Sequence, residues 1–407
     1  MKPLRVGIIG CGNIGASIHL PTWLKHPDVA QVVALADPTE AARESARALA
    51  GLAPDQVHDD PVHLVTREDI DVVDICTPQH LRRDVLLDSA VSGKHILCEK
   101  PLASVPLDAA AAVEAAEGAG RTLAMVHNYL WLPEIQAARK VIDSGEIGPV
   151  RAVIVNYLGV VDVPGAAAYR AGWRHDATAS GGGVLMDMVH GVYLAEALLG
   201  QRLRRVSAYV RSQEPGATVE DLALCRFETD TNAALVNIAW GLGPGGIEVS
   251  GERGRVSVRY RDGGTAPWAA VEHVRVHTAS GMREVLAGAR EPQSRSHDNA
   301  SRPGAGVPRD DRITAAIPQP IMESFEHVLL DFAAAVRDGR PPAASGRDGL
   351  RTLEATVGAY KSAVTGEVVR IPLDRDDPVF RHGVLGVKKL PVPEWSPTRV
   401  TSLYSAG

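Results

Sequence analysis

The strongest constraint in this chain is a glycine loop set between an apolar run and a helix-like one. Gly10-Cys11-Gly12-Asn13-Ile14-Gly15 follows the apolar run 4–9 directly and opens a helix-like stretch. G-x-G-x-x-G is unspecific by itself. Here Asp37 ends the second apolar run, 22 residues beyond Gly15. Each part has a physical reason. Gly10 permits a tight turn, Gly12 lets the backbone approach a pyrophosphate, and Gly15 allows close helix packing. The helix start, with Asn13 and Ile14, offers unpaired N–H groups and a positive dipole end to phosphate. Asp37 is placed to accept hydrogen bonds from both ribose hydroxyls. A carboxylate there repels a 2′-phosphate, which favours NAD over NADP. Arg43, on the following helix, keeps NADP as the minority alternative.

The first 126 residues alternate in character. Continuous apolar runs at 4–9, 31–36, 71–76, 95–98 and 122–126 are separated by helix-like stretches such as 39–50 and 81–92. Strands covered on both faces read this way. The alternation implies a parallel sheet with right-handed crossovers, a doubly wound α/β Rossmann domain over 1–126. A bridging helix is expected within 127–149, stopped by Gly145.

From residue 150 the pattern changes. Runs at 151–158, 204–212, 222–227, 233–240, 247–250, 255–259 and 271–278 read as strands, several alternating apolar with polar. One helix, at about 184–199, interrupts them. The expectation for 150–371 is an α+β domain with a large, mostly antiparallel open sheet, one face wet. Residues 281–318 are rich in Arg, Ser, Asp, Pro and Gly and read as a flexible insertion. Helices follow near 321–337 and 349–364, with Gly339 and Gly366 just past their ends. The tail 372–407 reads as irregular.

Composition narrows the function classes. The net charge is −6 and no basic block stands out, so a nucleic-acid partner is not expected. No run of about 18 apolar residues is present, so no membrane span is expected. The four cysteines, Cys11, Cys76, Cys98 and Cys225, form no CxxC pair and no disulfide framework. A reducing, cytoplasmic setting is the simplest reading. No tight ligand spacing supports a metal site.

Ligands of an open α/β sheet bind outside the carboxyl ends of its strands. Thr77-Pro78 ends one strand and Glu99-Lys100-Pro101 the next. Pro101 restricts the backbone of Lys100 and permits a cis bond, which fixes the direction of the side chain. A lysine desolvated at a strand end can exchange protons near neutral pH. Further along, Asp187 and His190 lie three apart on the helix that follows Gly181-Gly182-Gly183. That spacing puts both on one face. A histidine there can move a hydroxyl proton, with the carboxylate beside it to orient it.

Together Gly10–Gly15, Asp37, Thr77-Pro78, Glu99-Lys100-Pro101-Leu102-Ala103, the junction 142–148, Trp173-Arg174 and the segment 180–190 resemble the Gfo/Idh/MocA family. These are sugar and cyclitol dehydrogenases. The resemblance covers about residues 4–280 and 320–372. It implies NAD as cofactor and hydride transfer between nicotinamide and a ring hydroxyl or ketone of a sugar, glycoside or cyclitol. It also implies homodimers or homotetramers built through the second-domain sheet. The family's lysine falls on Lys100, and its second-domain Asp and His on or near Asp187 and His190. Thr77, Pro78, His80, Glu99, Lys100 and Asn128 then join the glycine loop around the cofactor. His127, Tyr129, Trp173 and Arg174 join Lys100, Asp187 and His190 around the substrate.

Three departures from the family pattern stand out. The Asp-to-His spacing is one residue short, Arg82 stands where a histidine is usual, and Tyr193 replaces an acid late in the second-domain helix. Two alternatives share the same motifs: a glycoside-cleaving enzyme that oxidises its substrate transiently, and a non-catalytic NAD-binding regulator.

Overall fold

The computed structural model describes residues 2–160, 172–212, 217–241, 243, 245–261, 271–287 and 317–391. Six strands form a parallel sheet: β1 Leu4–Ile9, β2 Ala30–Ala36, β3 Val57–His58, β4 Val72–Ile75, β5 His95–Cys98 and β6 Leu123–Met125. Their order is β3-β2-β1-β4-β5-β6. The chain therefore winds outward in both directions from the β1/β4 boundary, and a crevice opens above that boundary. All four residues of β4 are buried, as a strand covered on both faces requires. The helices Glu40–Ala50, Arg82–Val91 and Pro106–Gly118 pack against this sheet.

A 3-10 turn, Asn128–Trp131, and the helix Pro133–Asp143 lead into the second sheet. Its strands are β7 Val150–Val160, β8 Arg205–Arg211, β9 Leu222–Glu228, β10 Ala233–Trp240, β11 Gly245–Gly251, β12 Gly254–Tyr260, β13 Val271–Thr278, β14 Gly281–Ala287 and β15 Val369–Arg370. The order is β14-β13-β12-β11-β7-β10-β9-β8-β15. Every pairing is antiparallel except β7 with β10. Alternation along β10 buries Ala234, Val236 and Ile238 beneath the helix His190–Leu199. The opposite face keeps Tyr209, Leu224 and Leu235 exposed. This is the one-sided sheet the alternation predicts.

Three expectations are corrected. The single helix expected at 184–199 is two, Val184–Asp187 and His190–Leu199, broken at Met188 and Val189. In an unbroken helix the Asp187 carbonyl would accept from the Gly191 N–H. Here it accepts from Lys100 Nζ at 2.8 Å, and Gly191 turns to the Met188 carbonyl. The stretch expected as an insertion begins with β14, paired along β13; its part 288–316 lies outside the described residues. In place of an irregular tail from 372, Pro378–His382 is helical and a 3-10 run Gly383–Lys389 follows. Val379, Phe380, Val384 and Val387 from these turns are buried in the core, and they pack beside Pro106–Gly118. Short apolar residues spread among Pro, Asp and Arg carry no period strong enough to reveal this.

Gly15 lies where the first helix crosses the glycine loop. A Cβ on it would stand 1.9 Å from the Gly10 carbonyl oxygen, whereas one on Gly12 would meet nothing within 4 Å. Backbone cannot rotate away as a side chain can. Gly15→Ala is therefore expected to lower stability by about 1–3 kcal/mol, and Gly12→Ala by less than about 0.5 kcal/mol. Urea denaturation midpoints of the two variants would show it, and equal losses would contradict the packing described.

Candidate active site

The glycine loop lies above the crevice at the β1/β4 boundary. Gly10 holds φ +97°, a region that favours glycine, with the β4 end packed against it. The Asp37 carboxylate accepts the Cys11 N–H at 2.7 Å and the Thr39 N–H at 2.8 Å. That fixes it at the rim of the loop, and Arg43 donates to the Asp37 carbonyl. Gly12 faces open space, so the loop presents bare backbone where a pyrophosphate would lie. Across the crevice, Thr77 Oγ1 is buried and has no hydrogen-bond partner among the described residues. An open cradle on one side and an unsatisfied hydroxyl on the other fit a dinucleotide.

Below these loops is a group of buried charges. Asp74, on β4, is fully buried. It accepts from His19 Nδ1 at 2.9 Å and from Trp23 Nε1 at 2.8 Å. His19 Nε2 lies 3.2 Å from Glu99, whose other oxygen accepts the Lys100 N–H at 3.0 Å. Burial alone would lower the His19 pKa, but Asp74 outweighs it and holds the ring well above its usual value. Burial raises Glu99, and His19, Lys100 and Arg82 bring it below its usual range. An imidazolium thus ties two carboxylates together directly beneath the Lys100 strand end. His19, Asp74 and Cys76 also offer ligand-type atoms within 4.8 Å of one another. Both ring nitrogens, however, already face carboxylates.

Arg82 is buried, and its guanidinium donates to the carbonyls of Thr77, Glu99 and Pro101. It clamps the ends of β4 and β5 to each other. All three guanidinium nitrogens are engaged in this clamp.

Lys100, Asp187, Arg174 and His190 come together where the second domain covers the crevice. The Lys100–Pro101 bond is cis, and Lys100 Nζ lies 2.8 Å from the Asp187 carbonyl and 3.6 Å from its carboxylate. Arg174 Nε is also 3.6 Å from that carboxylate, and its guanidinium lies over the Trp173 ring at 5.2 Å. Burial pushes the Asp187 carboxyl up, but Arg174 and Lys100 prevail and hold it below the usual range. His190 is 4% exposed. Burial, then the charge of Lys100, keeps its pKa well below the usual value, so the ring is neutral at neutral pH.

Comparison with known proteins agrees with this architecture. Residues 4–127 match the family model described as "Oxidoreductase family, NAD-binding Rossmann fold". Residues 135–257 match the "GFO/IDH/MocA C-terminal domain". The chain belongs to the GFO/IDH/MocA family of oxidoreductases. D-apiose dehydrogenase from Paraburkholderia graminis is 28% identical over 382 residues, 91% of this chain and 90% of that one. Inositol 2-dehydrogenase 2 from Saccharopolyspora erythraea is 31% identical over 61% of this chain and 70% of its own. Among solved structures, an oxidoreductase from Agrobacterium radiobacter in complex with NAD+, L-tartaric acid and magnesium superposes with TM-score 0.72 at 21% identity. It covers 91% of this chain and 99% of its own. Levoglucosan dehydrogenase in complex with NADH and levoglucosan superposes with TM-score 0.71 at 22% identity, over 91% and 100%. These structural likenesses are of fold.

Several residues expected around the ligands have partners within the chain. Asn128 is buried and donates to Ser324 Oγ at 3.0 Å, which ties the bridge to the helix Gln319–Asp338. His127 and Tyr129 are buried and stacked, His127 on Tyr193 at 4.0 Å and Tyr129 on His190 at 3.7 Å. They pack the Tyr193 and His190 rings in place. Burial lowers His127 to about 4. His80 is exposed at the crevice mouth, and Trp173 is half-buried. Asp187 does not orient His190 as the three-residue spacing implied; the broken helix turns its carboxylate to Lys100 and Arg174. The partner of His190 Nδ1 is the Tyr193 hydroxyl, at 2.6 Å.

Sequence reasoning missed Glu220, His19 and Trp23. Glu220 is fully buried, accepts from Gly183 N, Leu185 N and Tyr360 Oη, and so anchors the glycine run that leads to Asp187. A carboxylate inside an all-apolar run, as Asp74 is in Val72-Val73-Asp74-Ile75, was the available signal, since a buried charge requires partners. Arg82→Leu leaves three carbonyls, two of them buried, without this donor and is expected to cost about 2–4 kcal/mol. Arg82→Lys should recover little, since one ammonium cannot span the fork. Thermal or urea unfolding distinguishes this from a surface role, for which both variants would match the parent within about 0.5 kcal/mol.

Proposed function

We propose that the protein is an NAD-dependent dehydrogenase that oxidises a ring hydroxyl, or reduces the matching ketone, of a sugar, glycoside or cyclitol. The observation that carries this reading is the convergence of Lys100, Asp187, Arg174 and His190 at the strand ends that face the glycine loop. Relatives named for D-apiose, levoglucosan and inositol favour a polyhydroxylated ring. Bound NAD supplies the hydride acceptor. Gly10, Gly12, Gly15 and the amides at Asn13 and Ile14 would hold its phosphates, and Asp37 a ribose.

In this reading Lys100 Nζ exchanges the hydroxyl proton and His190 hydrogen-bonds the same oxygen. Asp187 holds Lys100 in place, and Arg174, backed by Trp173, flanks the ring. The exposed row formed by Tyr209, Leu224 and Leu235 is the surface on which a second copy would dock. The Asp37 carboxylate selects against the 2′-phosphate of NADP.

Two measurements test this. An absorbance screen for NADH formation across sugars, glycosides and cyclitols should find a ring polyol that is turned over. Lys100→Ala should then lower kcat by about 100- to 10,000-fold while NADH affinity stays near the parent value; full activity in that variant refutes the assignment. Glycoside cleavage without net NADH would favour the transient-oxidation chemistry instead. Asp37→Ser should raise the NADP-to-NAD ratio of kcat/KM by roughly 10- to 100-fold by removing a like-charge contact. An unchanged ratio would show that Asp37 does not set cofactor choice.

A further inference from the structure

The immediate surroundings of His190 decide which of its two nitrogens holds the proton. Tyr193 and His190 are 5% and 4% exposed, so neither polar end is freely hydrated. The Tyr193 oxygen accepts the Tyr129 N–H at 3.1 Å. Its own proton still needs an acceptor, and His190 Nδ1, at 2.6 Å, is in place. Were Nδ1 protonated, both groups would offer a hydrogen to the same short contact, and the phenol proton would be left buried without an acceptor. The rings cannot readily turn to relieve this. Tyr129 stacks on His190 at 3.7 Å and 15°, and His127 stacks on Tyr193 at 4.0 Å and 12°.

We propose that Tyr193 is a positioning residue that donates to His190 Nδ1 and thereby locks the imidazole in the tautomer with its proton on Nε2. His190 then meets the reacting oxygen as a hydrogen-bond donor and not as a base. A carboxylate at position 193 would do the opposite. It would accept from Nδ1–H, leave a lone pair on Nε2 and make the ring a proton acceptor. The substitution of tyrosine for an acid three residues after the histidine therefore divides the labour. The hydroxyl proton is exchanged at Lys100, while His190 steadies the oxygen through Nε2–H and keeps its own proton throughout. In the reducing direction the same N–H polarises the ketone oxygen.

The division of labour rests on the dehydrogenase reading above, but the tautomer does not. It is measured on the full chain without substrate, by nitrogen-15 NMR of histidine-labelled protein. His190 is assigned from the signals lost in His190→Gln. The expected spectrum has a protonated Nε2 and an unprotonated Nδ1 for His190. The reverse assignment overturns the proposal. Tyr193→Phe keeps the stack on His127 and removes only the hydroxyl, and Tyr193→Asp supplies the carboxylate. Phe should release the ring into a mixture of tautomers, and Asp should move the proton to Nδ1.

With a substrate in hand, Tyr193→Phe should lower kcat on the order of 10- to 100-fold with little change in NADH affinity, within the range of a positioned proton-handling group. A tautomer unchanged in Tyr193→Phe also overturns the assignment, because the lock would then come from elsewhere. Failure of the polyol screen with an Nε2–H tautomer observed would refute the substrate reading and leave the tautomer lock standing.

Discussion

The contact of Lys100 with Asp187 joins the two halves of this protein. It is made from the end of a parallel strand to the last residue of the short helix Val184–Asp187 in the other domain, and it uses both a backbone carbonyl and a carboxylate. The carbonyl it takes is one the helix would otherwise keep, so the helix breaks there and restarts at His190. That break turns Asp187 toward Lys100 and Arg174 and leaves His190 on the buried face against Tyr129 and Tyr193. The placement of Asp187 and His190 thus follows from one ammonium competing with a helix hydrogen bond.

A lysine at that point needs a rigid base. Removing charges from water is costly unless each is paired and hydrogen-bonded. The arrangement of Asp74, His19 and Glu99 meets that condition, with Trp23 donating to the Asp74 carboxylate as well and the Lys100 N–H to the second Glu99 oxygen. Arg82 adds a fork that binds three carbonyls from two strand ends. On the other side of the crevice Glu220 performs the same service for the glycine run, where no side chain is available to do it. Buried ionic groups on both walls hold loops that have little apolar surface to pack.

The second sheet serves a different end. Its alternation covers one face with the helix His190–Leu199, where Gly191 brings the backbone against Val236. The other face stays open, with Tyr209 beside Leu224. Aromatic residues (Phe, Trp and Tyr) are only 4% of the chain and are unevenly placed. Tyr129 and Tyr193 join His127 and His190 in two stacked pairs at the site, and a tryptophan lies under Arg174 at its edge.

Most of the architecture was legible in the residues, because period and glycine placement are local properties. Continuous apolar runs, alternation after residue 150, Gly339 and Gly366 as helix ends, and the loop from Gly10 to Gly15 all express short-range sterics and burial. The NAD-binding Rossmann domain was readable for the same reason, since the loop and the helix start lie within one βαβ unit. The helical turns between Pro378 and Lys389 were not, because their few apolar residues gain meaning only against the helix they cover. Nor were the partners of the site. Whether His190 answers to Asp187 or to Tyr193 depends on where Lys100 arrives from 87 residues away. Whether Arg82 faces substrate or clamps carbonyls depends on how β4 and β5 lie side by side. Sequence determines which groups are present and which secondary structure they prefer. Only the tertiary fold decides which buried charge meets which, because each buried group must be satisfied by whatever distant atoms the packing brings within a few ångströms.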